Sequence, residues 1–376
     1  MPQARFFEIA ARDGAARQGR MHTPSGVVET PAFAPVATFG AVRGVAPDEL
    51  RAAGAQILLA NTYHLHERPG EAVIEAQGGL HGFTGWRGPW LTDSGGFQVT
   101  SMADRLVVDE DGVTFASPLD GRRRLLTPEL AIAVQEALGA DIAMTLDECR
   151  APAYGDPPDA EPAGGAASLR VRAATERTLR WAARCRAARR RRATALFGIV
   201  QGGLSEALRR ESARATAALG FDGYAHGGLG LGENAARRLD LVAATHAELP
   251  ELLPRYLMGI GPPEEILDAV AAGVDLFDCV IPTRHGRHGV LFTSRGSLKL
   301  RNARFRDDGA PPDPDCDCST CAQHSCAYLH HLLRVNEVLG ARLASVHNLR
   351  FVLRLLEDAR RAIAAGHFDA FRRSVF

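Results

Sequence analysis

The chain has 376 residues, 46% of them hydrophobic and 23% charged, which is the composition of a soluble globular protein with a sizeable core. No apolar run approaches the roughly 20 residues of a membrane-spanning helix, which excludes that class and leaves a membrane partner unexpected. Lys and Arg together number 44, as do Asp and Glu, so overall charge gives no argument for or against a nucleic-acid partner.

The amino terminus, M-P-Q-A-R-F-F-E-I-A, lacks the continuous apolar stretch and cleavage site of a secretory signal, and the cytoplasm is the expected compartment. From there, short apolar runs alternate with helical patterns. Candidate strands are 29–37, 56–60, 89–93, 141–147, 195–201, 221–226, 255–260 and 275–280. Between the third and fourth, T-P-E-L-A-I-A-V-Q-E-A-L-G (127–139) reads as a helix, with Pro128 in the first turn and Gly139 at the stop. Eight strands alternating with helices predict an α/β fold, a closed (β/α)₈ TIM barrel.

In such a barrel the reactive groups stand at the carboxyl ends of the strands. Here the third candidate ends in Asp93, the fourth in Asp147 and the fifth in Gln201. The sixth runs into H-G-G-L-G-L-G-E (226–233), whose glycines let backbone N–H groups approach a planar ligand, and the eighth carries Asp278 inside D-L-F-D-C-V. A lone strand-end Asp is more often a cap or a structural acid. Several on one rim favour an active site. No Gly-rich phosphate loop, no G-x-S-x-G elbow and no strand lysine is present, which removes support for nucleotide hydrolysis, acyl transfer and imine chemistry. Two carboxylates, one attacking and one moving protons, are the arrangement that breaks a glycosidic bond.

Beyond the last strand, the segment from Arg284 to Arg306 holds seven basic residues and no acidic one, a local positive surface. A second basic cluster, R-C-R-A-A-R-R-R-R (184–192), reads as the solvated end of a helix. Four of the seven cysteines crowd into 316–326, and Cys316, Cys318 and Cys321 give Cys-x-Cys-x₂-Cys. Three thiolates and one imidazole would make a closed, structural zinc site. On spacing alone Cys326 and His324 compete for its fourth place, whereas His347 lies in a helical segment that could fold back on the cysteine loop. The Pro/Ala/Gly-rich stretch 151–167 is expected as a loop near the mouth.

The stretches L-T-D-S-G-G-F-Q-V (91–99), D-E-C (147–149), F-G-I-V-Q-G (197–202), F-D-G-Y-A-H-G-G-L (221–229), R-Y-L-M-G-I-G (255–261), D-L-F-D-C-V-I-P-T-R (275–284), C-D-C-S-T-C (316–321) and A-Y-L-H-H-L (327–332) jointly resemble the bacterial tRNA-guanine transglycosylases, in order along nearly the whole chain. The resemblance implies a catalytic barrel over 1–306 and a zinc-binding helical appendage with closing helices over 307–376. It implies exchange of the guanine at the tRNA wobble position for a 7-deazaguanine, in the queuosine pathway, by a homodimer. By that likeness Asp278 is the nucleophile and Asp93 the general acid/base. Asp147, Gln201 and Gly228 would read the base between Phe97 and Met258, with Ser94, Gly95, Gly96 and Leu229 around it. RNA contacts would come from Gly259, Ile260, Gly261, Pro262, Pro263, Glu264 and Glu265, and from Thr283, Arg284, His285, Gly286 and Arg287. For zinc the family favours Cys316, Cys318, Cys321 and His347.

Two departures bear on the substrate. Many bacterial members carry Ala-Val where this chain has Gly230 and Leu231, and the bulkier Leu231, with Cys149, favours the small aminomethyl base preQ1 over queuine. His285 and His288 stand where other small or polar residues are usual. A retaining glycoside hydrolase on the same fold is the main rival and expects tryptophans around the rim, whereas this chain has three, two of them beside one strand. A non-catalytic tRNA-binding subunit is the other rival and expects lost carboxylates, yet Asp93, Asp147 and Asp278 are present.

Overall fold

The structure, a computed structural model, describes residues 6–97, 106–149 and 166–375, with the backbone alone for 166–168. Most of the stretch 151–167 therefore lies outside the described residues.

Three antiparallel strands come first: β1 (Phe7–Asp13), β2 (Ala16–Thr23) and β3 (Gly26–Thr30). The first barrel strand, β4 (Ala32–Pro35), follows at once. The run 29–37 is thus split between two sheets at Pro31, which has no N–H to give to a ladder. The remaining barrel strands are β5 (Leu58–Ala60) and β6 (Trp90–Thr92), then, after a small antiparallel sheet of β7 (Val107–Val108), β8 (Val113–Ala116) and β9 (Arg123–Leu126), β10 (Ile142–Met144), β11 (Ala195–Val200), β12 (Gly223–His226), β13 (Arg255–Leu257) and β14 (Leu276–Cys279). Every one of the eight predicted barrel strands is present.

The eight pair in parallel in the order β4-β14-β13-β12-β11-β10-β6-β5, and a parallel bridge between Val36 and Leu59 joins the ends. The fold is the expected (β/α)₈ barrel. Its interior is packed by Ala34, Leu59, Leu91, Met144, Phe197, Ile199 and Tyr256, and the same apolar cluster takes in Phe7, Met21 and Val28 from the antiparallel sheet. That sheet closes the amino-terminal end of the barrel. Arg17 of β2 donates its Nε to Asp275 at 2.9 Å, and Asp275 also accepts from Arg255 N at 2.7 Å. One strand therefore carries two acids with different fates: Asp275 at its start is committed to the fold, and Asp278 near its end faces the open mouth.

Helix chemistry follows the sequence where it was explicit. Thr127 caps the helix Pro128–Ala137 by accepting from Leu130 N at 3.1 Å, and Gly139 takes φ +74° just past the end. The basic segment after β14 is itself a helix, Ile281–His288, lying against the long helix Val338–Ala364. Gly286 permits the approach, since a Cβ there would sit 2.7 Å from Ser345 N. The long helix spans about 40 Å at 1.5 Å per residue. It reaches from the cysteine loop to the closing sheet, packing on β1, β2 and β4.

Candidate active site

The residues that follow the barrel strands meet at the open mouth. Asp93, just past β6, accepts from Thr62 N at 2.9 Å and Gly95 N at 3.2 Å through Oδ1, and from the Asn61 side chain through Oδ2. Burial nevertheless dominates and pushes its pKa up to about 6, with the Asp278 carboxylate adding a smaller rise. A carboxyl poised there holds or releases a proton near neutral pH.

Asp278 accepts from Tyr256 OH at 2.6 Å and from Gly259 N at 3.0 Å. Both bonds fall on Oδ1, so Oδ2 has no protein donor among the described residues. Burial raises its pKa, and the two donors oppose the rise. Tyr256 is held as the neutral phenol because burial, and then the Asp278 charge, drive its pKa well up.

The wall beside these acids is set by Asp147, which accepts from Gln201 Nε2 at 2.6 Å and from Ser94 Oγ at 3.5 Å. Burial lifts its pKa to about 6. The glycines here are demanded by space: a Cβ on Gly96 would lie 2.9 Å from Asp147 O, and one on Gly227 would lie 2.3 Å from Gln201 Nε2. The following loop is clamped by buried Glu233, which accepts from Gly230 N at 2.5 Å and Leu231 N at 3.1 Å and pairs with Arg238 at 2.6 Å. Arg238 in turn reaches Glu265.

A second cluster lies beyond the barrel. Ligand atoms of Cys316, Cys318, Cys321 and His347 all fall within 4.8 Å of one another. His347 Nδ1 is 3.5 Å from Cys318 Sγ and 3.2 Å from Cys321 Sγ, while its Nε2 donates to Phe292 O at 2.6 Å. That outer bond fixes the tautomer so that Nδ1 offers its lone pair to the sulfurs. The donor set could hold a metal ion and suits a tetrahedral one. Cys326 and His324 are not in it. Cys326 is buried in a separate apolar cluster, and His324 packs on Tyr328 with ring centroids 5.3 Å apart.

Residues 13–376 match the family model described as queuine tRNA-ribosyltransferase. Proteins of that name from Thioalkalivibrio sulfidiphilus and Thermus thermophilus are 50% and 52% identical to the chain, the first across 97% of this chain and 95% of its own length, the second across 98% and 92%. Another, from Thiobacillus denitrificans, is 49% identical across 97% of this chain and 96% of its own. The chain belongs to this family. Its members are named as transferases acting on tRNA, and the carboxylate rim and Cys₃His cluster described above are features of this member of the queuine tRNA-ribosyltransferase family.

The structure brings Asp93, Asp147, Gln201, Gly228 and Asp278 to one mouth, with Ser94, Gly95 and Gly96 in the turn between the first two. Phe97 is 42% exposed and Met258 half-buried. Leu229 is buried in the apolar layer outside the strands. Of the residues expected to meet RNA, Ile260, Gly261, Pro263, Thr283 and Gly286 are buried, and Glu265 is held by Arg238. Gly259 and Glu264 are exposed and Pro262 is partly so. Two residues of the site, Asn61 and Tyr256, are not among those expected from sequence. Asn61 had the same signal as the acids, a polar residue at the end of an apolar strand run. Tyr256 had none, because an aromatic in R-Y-L-M-G-I reads as core.

The two basic clusters differ in what their charges do. Arg184, Arg189 and Arg191 pair with Glu129 at 2.7 Å, Asp222 at 2.7 Å and Glu75 at 3.2 Å, so half of the six arginines in 184–192 are held locally. Within 284–306, among the described residues, only Arg306 has a carboxylate within ion-pair distance, the adjacent Asp307 at 4.0 Å. Burial, and then the Arg43 and Arg284 cations, pull the Arg287 pKa down, and its Nη1 is buried without a partner among the described residues.

Proposed function

We propose that this protein exchanges the guanine at the anticodon wobble position of tRNA for preQ1, by double displacement through a covalent Asp278–ribose ester, within the queuosine pathway. The observation that carries the reading is the geometry of Asp278, whose Oδ1 is tied to Tyr256 and Gly259 while Oδ2 is left to react, beside an Asp93 whose pKa lies near 6. Oδ2 attacks the ribose anomeric carbon as the bond to guanine N9 breaks, and Asp93 gives its proton to the departing base. Asp93, now ionised, takes a proton from the incoming base. That base attacks the same carbon and restores the Asp278 carboxylate. The phosphodiester chain is untouched.

Base recognition falls to Asp147, accepting from the guanine N1–H and amino group, and to Gln201 and Gly228 N–H, donating to the carbonyl oxygen. Gln201 Nε2 is bonded to Asp147, so a bound base would take over that donor. Adenine would leave buried groups unpaired, at about 1–3 kcal/mol each. The clamped Gly230–Leu231 turn and Cys149 support a small substituent, hence preQ1. The glycoside hydrolase reading loses its sugar platforms, because Trp86, Trp90 and Trp181 are all buried. The exchange is tested with tRNA carrying labelled guanine at the wobble position. Adding preQ1 should release the label with the RNA intact. Cut RNA, or label that stays, would overturn the reading.

For the metal we propose zinc, one per chain, holding the 307–376 appendage and closing helices against the 1–306 barrel and taking no part in the reaction. Metal analysis should find His347→Ala depleted of zinc and Cys326→Ala fully loaded; the reverse would show that the fourth ligand is misassigned. The exposed face of the appendage is where a second copy would join a homodimer.

The unpaired cations of 284–306 are assigned to the phosphates of the anticodon arm. The affinity for tRNA should then fall with salt on a log–log slope of about 0.7–0.9 per phosphate contacted. Arg284→Ala or Arg287→Ala should flatten that slope by about one contact and raise KM for tRNA, with KM for free base unchanged. Impaired base binding with an unchanged salt slope would assign the segment to the fold instead.

A further inference from the structure

The pocket's hydrogen-bonding edge has a support that no base-reading residue explains. Arg209, in the helix Glu206–Leu219 behind the mouth, is fully buried. Its Nε donates to Gly203 O at 2.7 Å and its Nη2 to Gly227 O at 2.9 Å. Nη1 has no partner, and no carboxylate lies within ion-pair distance, among the described residues. Burying a guanidinium on peptide carbonyls alone is costly, and desolvation pulls its pKa down to about 10. A helix needing only to pack on a barrel would use an apolar side chain there.

Those two carbonyls belong to the turns that leave β11 and β12, on either side of Gln201. Gly202 lies directly on the arginine stem, where a Cβ would meet Arg209 Cγ at 2.8 Å. The Gly227 carbonyl and the Gly228 N–H are the two ends of one planar trans peptide, so they point in opposite directions. Fixing the carbonyl toward the guanidinium fixes the N–H toward the pocket. Consistent with this, Gly228 N–H faces the Cys149 thiol, one of the groups offsetting the rise, driven by burial and then by Asp147, that takes that thiol to about 12. A cation on the carbonyl also polarises the peptide and strengthens the N–H as a donor.

We propose that Arg209 is a positioning residue for base specificity: it locks the Gly227–Gly228 peptide so that the Gly228 N–H presents a strong donor to the carbonyl oxygen of the bound purine. The inference rests on the base-exchange reading above. Its test compares, for wild type and variants alike, guanine with 2-aminopurine, which lacks the carbonyl oxygen and with it the N1–H read by Asp147, as ligands of the full-length protein, so that only the change in preference between proteins reports on Arg209. Arg209→Met removes both bonds and the charge; Arg209→Lys keeps the charge and one donor, and serves if the first variant is unstable. Arg209→Met should lose about tenfold of its preference for guanine over 2-aminopurine, and Arg209→Lys a smaller part, with the salt dependence of tRNA binding and metal content unchanged. If both purines weaken equally, or neither does, Arg209 is only structural and the proposal is overturned. Should wild-type protein fail to exchange guanine at all, the parent reading fails, an outcome separate from any change in preference.

Discussion

Asp278→Asn should abolish base exchange, by at least about 10⁴-fold, the scale on which removal of an attacking group is felt. The amide keeps the shape of the carboxylate and can still accept from Tyr256 and Gly259 through its oxygen. What it loses is a charged Oδ2 able to displace a base from the anomeric carbon. Binding of tRNA should persist, since the side chain contributes no phosphate contact. Denaturing electrophoresis of the variant with tRNA should show no protein–RNA band; a band that survives denaturation would remove Asp278 from the role.

Asp93→Asn should lower turnover by about 10²–10⁴-fold while leaving tRNA binding intact, because the side chain's proposed task is to move a proton. Equal loss of tRNA binding would make Asp93 structural. The wild-type pH profile carries a second signature. Attack on tRNA needs Asp278 ionised and Asp93 protonated, so kcat/KM for tRNA should fall as pH rises through about 6, where Asp93 gives up its proton. It should also fall toward acid as Asp278 becomes neutral, from above the ordinary carboxylate range. The two acids interact, so these limbs belong to the pair. Attack by the incoming base needs Asp93 ionised, so kcat/KM for the base should instead rise with pH. Esterified Asp278 no longer pushes Asp93 upward, which places this limb below the first. A limb that moves the other way would reverse the assigned roles.

The barrel was readable because the strands are short, mainly apolar runs, several followed by a polar residue or glycine, as at Asn61, Asp93 and Gly227, and because helix ends such as Thr127 and Gly139 carry their own chemistry. The closing sheet of β1, β2 and β3 was not. Its segments mix charged and apolar residues, since one face covers the barrel and the other meets solvent, and the run at 29–37 hid a change of sheet at Pro31. The helix Ile281–His288 also escaped, as Gly286 within it and Gly289 just past it suggest a loop until the helix at Val338–Ala364 is seen to require Gly286 for close approach. At the site, the acids announced themselves by standing at strand ends. Their partners did not: Tyr256 reads as core, and Arg209 as one more charge on an amphipathic helix. What sequence conveys is which groups are unusual for their position. Which carbonyl or carboxylate each one holds depends on contacts between strands far apart in the chain.

The central claim is that the ribose is carried on Asp278 between two bases, and it can be tested on the wild-type protein. The protein is mixed with tRNA in the absence of added base, denatured and digested, and the RNA-bearing peptide is located by mass spectrometry. The adduct is expected within D-L-F-D-C-V, on Asp278 and not on Asp275, which is buried against Arg17, and not on Asp93. Addition of preQ1 before denaturation should clear it. An adduct on Asp93, or base exchange that proceeds with no adduct on any residue, would contradict the account.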